Sequence, residues 1–142
     1  MTVASILTNK GTDVVTVPAD LPVIDVIRLL DEKRIGAVPV IEGGRVVGVF
    51  SERDVVAGIA ADGVEVLQRP VSALMSSPAM TVQRDEPVIG ALSLITRRRI
   101  RHLPVVENDV LLGMVSIGDL VKFRIERIEA EAAAMRDYIL TA

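Results

Sequence analysis

Gly48-Val49-Phe50-Ser51-Glu52-Arg53-Asp54 returns as Gly113-Met114-Val115-Ser116-Ile117-Gly118-Asp119, 65 positions further along the chain. Working outward at that fixed shift, Pro39-Val40 falls on Pro104-Val105, Pro22-Val23-Ile24 on Pro87-Val88-Ile89, and Thr16-Val17 on Thr81-Val82. From Val14 to Val56 no gap is needed, 16 of 43 aligned pairs are identical, and many others exchange one aliphatic residue for another. A register held over that length marks an internal duplication. Two copies of so long a period do not make a solenoid array. A copy of about 60 residues buries only a marginal share of its surface. The two are therefore expected to pack as one module.

Each copy reads as strand, helix, strand, strand, helix. In the first, Val14–Val17 is a β-branched run, and Asp20 and Pro22 signal a helix start. Val23, Val26, Ile27 and Leu30 recur at helical spacing over Pro22–Lys33. Ala37–Ile41 and Val46–Phe50 flank a turn at Glu42-Gly43-Gly44-Arg45, and Ser51–Ala61 is the second helix. In the second copy the strands are Met80–Val82, Leu103–Val106 and Leu111–Val115, and the helices are Pro87–Arg98 and one opening at Ser116. Similar prefixes precede the copies, Val3–Leu7 and Val71–Met75, and three more loop residues follow the first than the second. The expected organisation is repeat 1 over 1–61, a linker over 62–70, repeat 2 over 71–123 and a helical extension over 124–142. The fold class is α/β (α+β).

Half of the residues are hydrophobic, but the aromatics are only Phe50, Phe123 and Tyr138, so the core must be aliphatic. So few aromatics give no stacking platform for single-stranded nucleic acid. A net charge of −3 also counts against a binder that relies on bulk positive charge. There is no cysteine, hence no disulfide or thiol chemistry. The N-terminal residues lack the pattern of a signal peptide, and no apolar run approaches the ~20 residues that span a bilayer. A cytoplasmic protein without membrane contact is expected. No His/Cys spacing matches zinc, and no acidic loop matches an EF-hand.

The repeated Ser-x-x-Asp sits where a strand passes into a helix. The simplest account is a capping box, in which the hydroxyl and carboxylate satisfy free backbone N–H groups. The same geometry suits a ligand. A helix N-terminus favours phosphate, and a carboxylate in that turn can accept two hydrogen bonds from a ribose diol. The two accounts can coexist.

Taken together, the Pro-led helix, the Ala/His-x-Pro-Val strand and the Gly-x-x-Ser-x-x-Asp turn, present twice, resemble a tandem pair of CBS domains, or Bateman module. The resemblance covers about residues 1–123, and the chain is similar to free-standing bacterial CBS-pair proteins. It implies two pseudo-twofold-related β-α-β-β-α repeats with adenosine-containing ligands between them, in crossed sites. One site would place Thr16, Val17, Gly36, Ala37, Val38 and Pro39 around the base, Ser116 and Asp119 at the ribose, and Arg101 and His102 near phosphate. The other would place Met80, Thr81, Val82, His102, Leu103 and Pro104 around the base, Ser51 and Asp54 at the ribose, and Arg53 near phosphate. Gly36-Ala37 stands against Arg101-His102, and Arg53 against Gly118, so the two sites should be unequal. Arg97 and Arg98 read as a solvated helix end. His102, the sole histidine, lacks the partners of a catalyst.

The expected function is regulatory binding of AMP, ADP, ATP or NAD(H), with no enzyme cofactor, and magnesium arriving only with ATP. The alternatives are a purely structural dimerisation module and an S-adenosylmethionine sensor. After the second copy, Val121, Ile125, Ile128, Ala132, Met135 and Ile139 form a heptad seam. It could lie on its own domain or join two copies of the chain into a homodimer. In a parallel pair Arg124 would face Glu129, and Glu131 would face Arg136. A regulated partner protein, unknown in identity, would read the bound state of such a module.

Overall fold

The computed structural model describes residues 1–141. Its elements run α1 (Val3–Lys10), β1 (Val17–Pro18), α2 (Val23–Lys33), β2 (Ala37–Glu42), β3 (Arg45–Ser51), α3 (Glu52–Asp62), two short 3-10 turns (Val64–Gln68 and Val71–Ala73), α4 (Val88–Arg98), β4 (His102–Glu107), β5 (Val110–Ser116) and α5 (Ile117–Thr141). β1, β2 and β3 form one sheet, with β1 parallel and β3 antiparallel to β2. β4 and β5 form its twin. Both hairpins slip register at the same place, between Val40 and Ile41 and between Val105 and Val106.

The first strand of each copy is shorter than the β-branched runs predict. Val14–Val17 contributes only its last residue to β1, and Met80–Val82 shrinks to a single parallel bridge between Val82 and Val105. Proline is the reason. The bridge consists of Val82 N–H to the Pro104 carbonyl at 3.0 Å and Val106 N–H to the Val82 carbonyl at 2.9 Å. The next ladder bond would run from the nitrogen of Pro104 to the carbonyl of Met80, and that nitrogen carries no hydrogen. Pro39 stops β1 in the same way, one residue before its register partner Val40.

Two aliphatic cores follow from the helical spacing. α2 buries Val23, Val26 and Leu30, and α4 buries Val88, Ala91 and Ile95 at equivalent positions. The prefixes cross over. Val3, Ile6 and Leu7 of α1 are buried with Val82, Val88, Leu103 and Val115, in the core of the second copy. Val71 belongs to the core of the first, with Leu67, Leu74 and Met75 packed against it. Backbone bonds repeat the pattern: α2 begins with Val23 N–H on the Arg69 carbonyl at 2.9 Å, and α4 with Val88 N–H on the Met1 carbonyl at 3.2 Å. Divisions at 1–61 and 71–123 therefore describe the sequence copies, whereas the cores are partitioned differently. The first core draws on a continuous stretch from about Val15 to Met75, nested inside a second core built from both flanks.

The segment 62–70 is ordered by the same packing, with Val66 fully buried. α5 packs on its own module only at its start, through Leu120 and Phe123. Its heptad positions stand 41–65 % exposed at Val121, Ile125, Ile128, Met135 and Ile139. A helix laid on its own domain is therefore not what the chain adopts.

Candidate functional site

β3 ends at Ser51, where the chain turns into α3. Asp54 caps the turn: its Oδ2 accepts the Ser51 N–H at 2.9 Å and the Ser51 hydroxyl at 3.3 Å. Asp54 Oδ1 accepts the Ser76 hydroxyl at 2.9 Å. Ser76 is held there because its backbone pairs with Val49 as an extra bridge on the edge of β3.

This corner opens onto a cavity of about 500 Å³ between the copies. The first copy contributes Gly36 and the α3 N-terminus, with Ser51, Glu52, Arg53 and Asp54. The second contributes Met80 and the run Arg98-Arg99-Ile100-Arg101-His102. Four arginines and one histidine thus surround two carboxylates. Arg53 donates to the Arg99 carbonyl at 3.0 Å, which ties the α3 N-terminus to the end of α4. Arg99 caps α4 in the left-handed region, as Arg34 caps α2.

His102 lies on the seam. Its imidazole lies alongside Gly36 of the opposite copy, at ordinary van der Waals distance from where a Cβ would stand. Its pKa is lowered, first by burial and then by the charges of Lys10 and Arg101, which outweigh Asp119 and Glu52. The imidazole is neutral at pH 7.

The second Ser-x-x-Asp turn has a complete capping box, Ser116 N–H to Asp119 Oδ2 at 2.8 Å and Asp119 N–H to Ser116 Oγ at 3.0 Å. Its carboxylate also holds the Lys10 ammonium at 2.6 Å. Burial alone would raise the pKa of Asp119. The Lys10 contact and the Ser116 hydrogen bonds outweigh that and lower it.

Of the residues expected around ligands, Gly36, Ser51, Arg53, Asp54, Met80, Arg101 and His102 share the one cavity. Thr81 and Val82 line a separate hollow with Asp85, Glu86 and Arg97. Val17, Ala37, Val38, Leu103 and Pro104 are buried, and Thr16 is exposed. Ser116 and Asp119 are drawn together with Lys10 rather than with that cavity. Arg97 and Arg98 are both exposed, and Arg98 also borders the cavity. Ser76, Arg99 and Lys10 join these sites from outside the repeated motifs. Among the described residues no His/Cys/Asp/Glu cluster could hold a metal ion, and no helix is long and apolar enough to cross a membrane.

Two copies of one α/β unit, related across a cleft that both line, define a paired-repeat binding module. The family model for the CBS domain matches twice, over residues 3–61 and 71–126. The chain belongs to the CBS domain family, as a tandem pair. A crystal structure of a CBS-domain containing protein from Agrobacterium tumefaciens is 39 % identical, with a TM-score of 0.84 over 87 % of this chain and 99 % of that one. The CBS domain-containing protein YhcV of Bacillus subtilis is 31 % identical over 82 % of this chain and 83 % of its own. The CBS domain pair of protein MJ0100, solved with 5′-methylthioadenosine and S-adenosyl-L-methionine, shares the fold. Its identity is 19 % and its TM-score 0.78 over 89 % of this chain and 98 % of that one.

Proposed function

We propose that the module is a regulatory sensor of adenine nucleotides, AMP, ADP, ATP or NAD(H), held in the cavity between the copies. The observation that carries this reading is the joining of the Asp54 carboxylate and the α3 N-terminus to four arginines in one cavity. Asp54 would accept the ribose hydroxyls. Arg53, Arg98, Arg99 and Arg101 would take phosphates, with the helix N-terminus adding its dipole. The Met80 carbonyl, left without a ladder donor by Pro104, is suited to the amino edge of adenine. The adenosine ligands of MJ0100 show that the fold can carry this class of molecule. S-adenosylmethionine is the weaker alternative: it brings no phosphate and adds a sulfonium cation to a cavity already rich in cations.

The reading is one of binding rather than turnover, and magnesium would enter only with ATP. Signalling needs a ligand that favours one arrangement of the halves, or of a homodimer, over another. The test is calorimetric titration of AMP, ADP, ATP, NAD, NADH and S-adenosylmethionine into the wild-type chain and Asp54→Ala. Nucleotide binding is expected in the wild type and at least a tenfold loss in the variant. No heat with any nucleotide would leave a structural dimerisation module as the better account.

A further inference from the structure

The two Ser-x-x-Asp turns match in sequence but are engaged differently. At Asp54 the second carboxylate oxygen accepts a serine hydroxyl, a neutral group that can rotate away for an incoming ribose. At Asp119 the carboxylate holds an ammonium. Lys10 Nζ donates to Asp119 Oδ2 at 2.6 Å and to the Met114 carbonyl at 2.9 Å. Lys10 is the last residue of α1, and Val3, Ile6 and Leu7 anchor that helix in the core of the second copy. The cation is thus delivered by a fixed element to the carboxylate of the same core. The chain entering the second copy, Ser76-Ser77-Pro78-Ala79, carries no cation to do the same at Asp54.

Ribose hydroxyls are donors and need carboxylate charge that is free to accept them. Lys10 offsets that charge at Asp119 by holding Oδ2, the same oxygen that accepts the Ser116 N–H. We infer that Lys10 is a built-in competitor at the Asp119 half-site, so that each chain takes one adenine nucleotide, at Asp54, instead of two. This inference rests on the nucleotide reading above. The contact is partly solvated, with side-chain exposures of 44 % and 26 %, so it contributes little to stability, and removing it should open the site without unfolding the module.

The experiment is calorimetric titration of ATP into the full chain as wild type, Asp54→Ala, Lys10→Met and the double variant, with thermal melts to verify folding. Methionine keeps the apolar stem. Lys10→Gln provides a second neutral replacement. The expected stoichiometries are one, none, two and one ATP per chain. Two ATP in the wild type, or one in both Lys10 variants, would overturn the competitor role and leave the nucleotide reading standing. Absence of binding in the wild type and every variant would remove both.

Discussion

His102 reports on the seam between the copies, and as the only histidine it can be followed alone. In the unfolded chain it takes a proton near pH 6.5. In the folded protein burial, Lys10 and Arg101 hold the pKa lower. Below about pH 6.5 the unfolded state therefore binds more protons, so this contribution to stability is full above that pH and is lost as pH falls through the lower folded value. Phosphates placed by Arg101 would oppose those causes. The imidazole resonance should titrate below its ordinary midpoint in the free protein and move upward with ATP. A midpoint that ATP leaves unmoved would place the phosphates elsewhere.

At the scale of elements, glycine and proline set what can pair with what. Gly48 lies under the Val49–Ser76 bridge, and a Cβ there would stand 2.5 Å from Met75 Sδ and 2.9 Å from the Ser76 carbonyl. The sulfur could move; the backbone oxygen cannot move without breaking the bridge. Gly48→Ala should therefore destabilise the protein by about 1–3 kcal/mol in urea unfolding. It should also weaken ATP binding by displacing Ser76 from Asp54. An unchanged unfolding midpoint would show that the segment yields freely. The glycine was legible as the first letter of a repeated motif, as were Ser51 and Asp54, because local spacing alone builds a capping turn. Ser76, Arg99 and Lys10 were not. Ser76 and Lys10 follow prefixes whose spacing differs by three residues between the copies, so the alignment that exposed the other residues has no register for them. The contact of Arg99 depends on a left-handed cap that an arginine does not advertise. β1 is shorter than its sequence suggests for a related reason. A β-branched run promises a strand, but the opposing proline decides how much of it can pair.

At the scale of the whole molecule, α5 extends beyond the module with Ile125, Ile128, Ala132, Met135 and Ile139 uncovered. The stripe falls on a heptad spacing, and the flanking charges of a parallel pair would attract. About three heptads are short for an independent coiled coil, so a homodimer would draw on the module as well. Ile128→Glu places a charge in the seam and should convert a dimer to a monomer in sedimentation velocity. A dimer that survives would place the interface away from α5.

The nesting of one core inside the other means that the chain crosses between the halves twice, once on the way out after α1 and once on the way back after Met75. A single crossing would be a tether, leaving the halves free to swivel. Two crossings act as paired straps, which constrain the halves more than a single tether would. Each strap borders a Ser-x-x-Asp turn: one starts from Lys10, and the other from Ser76. Whatever settles at either turn therefore sits against a crossing between the halves.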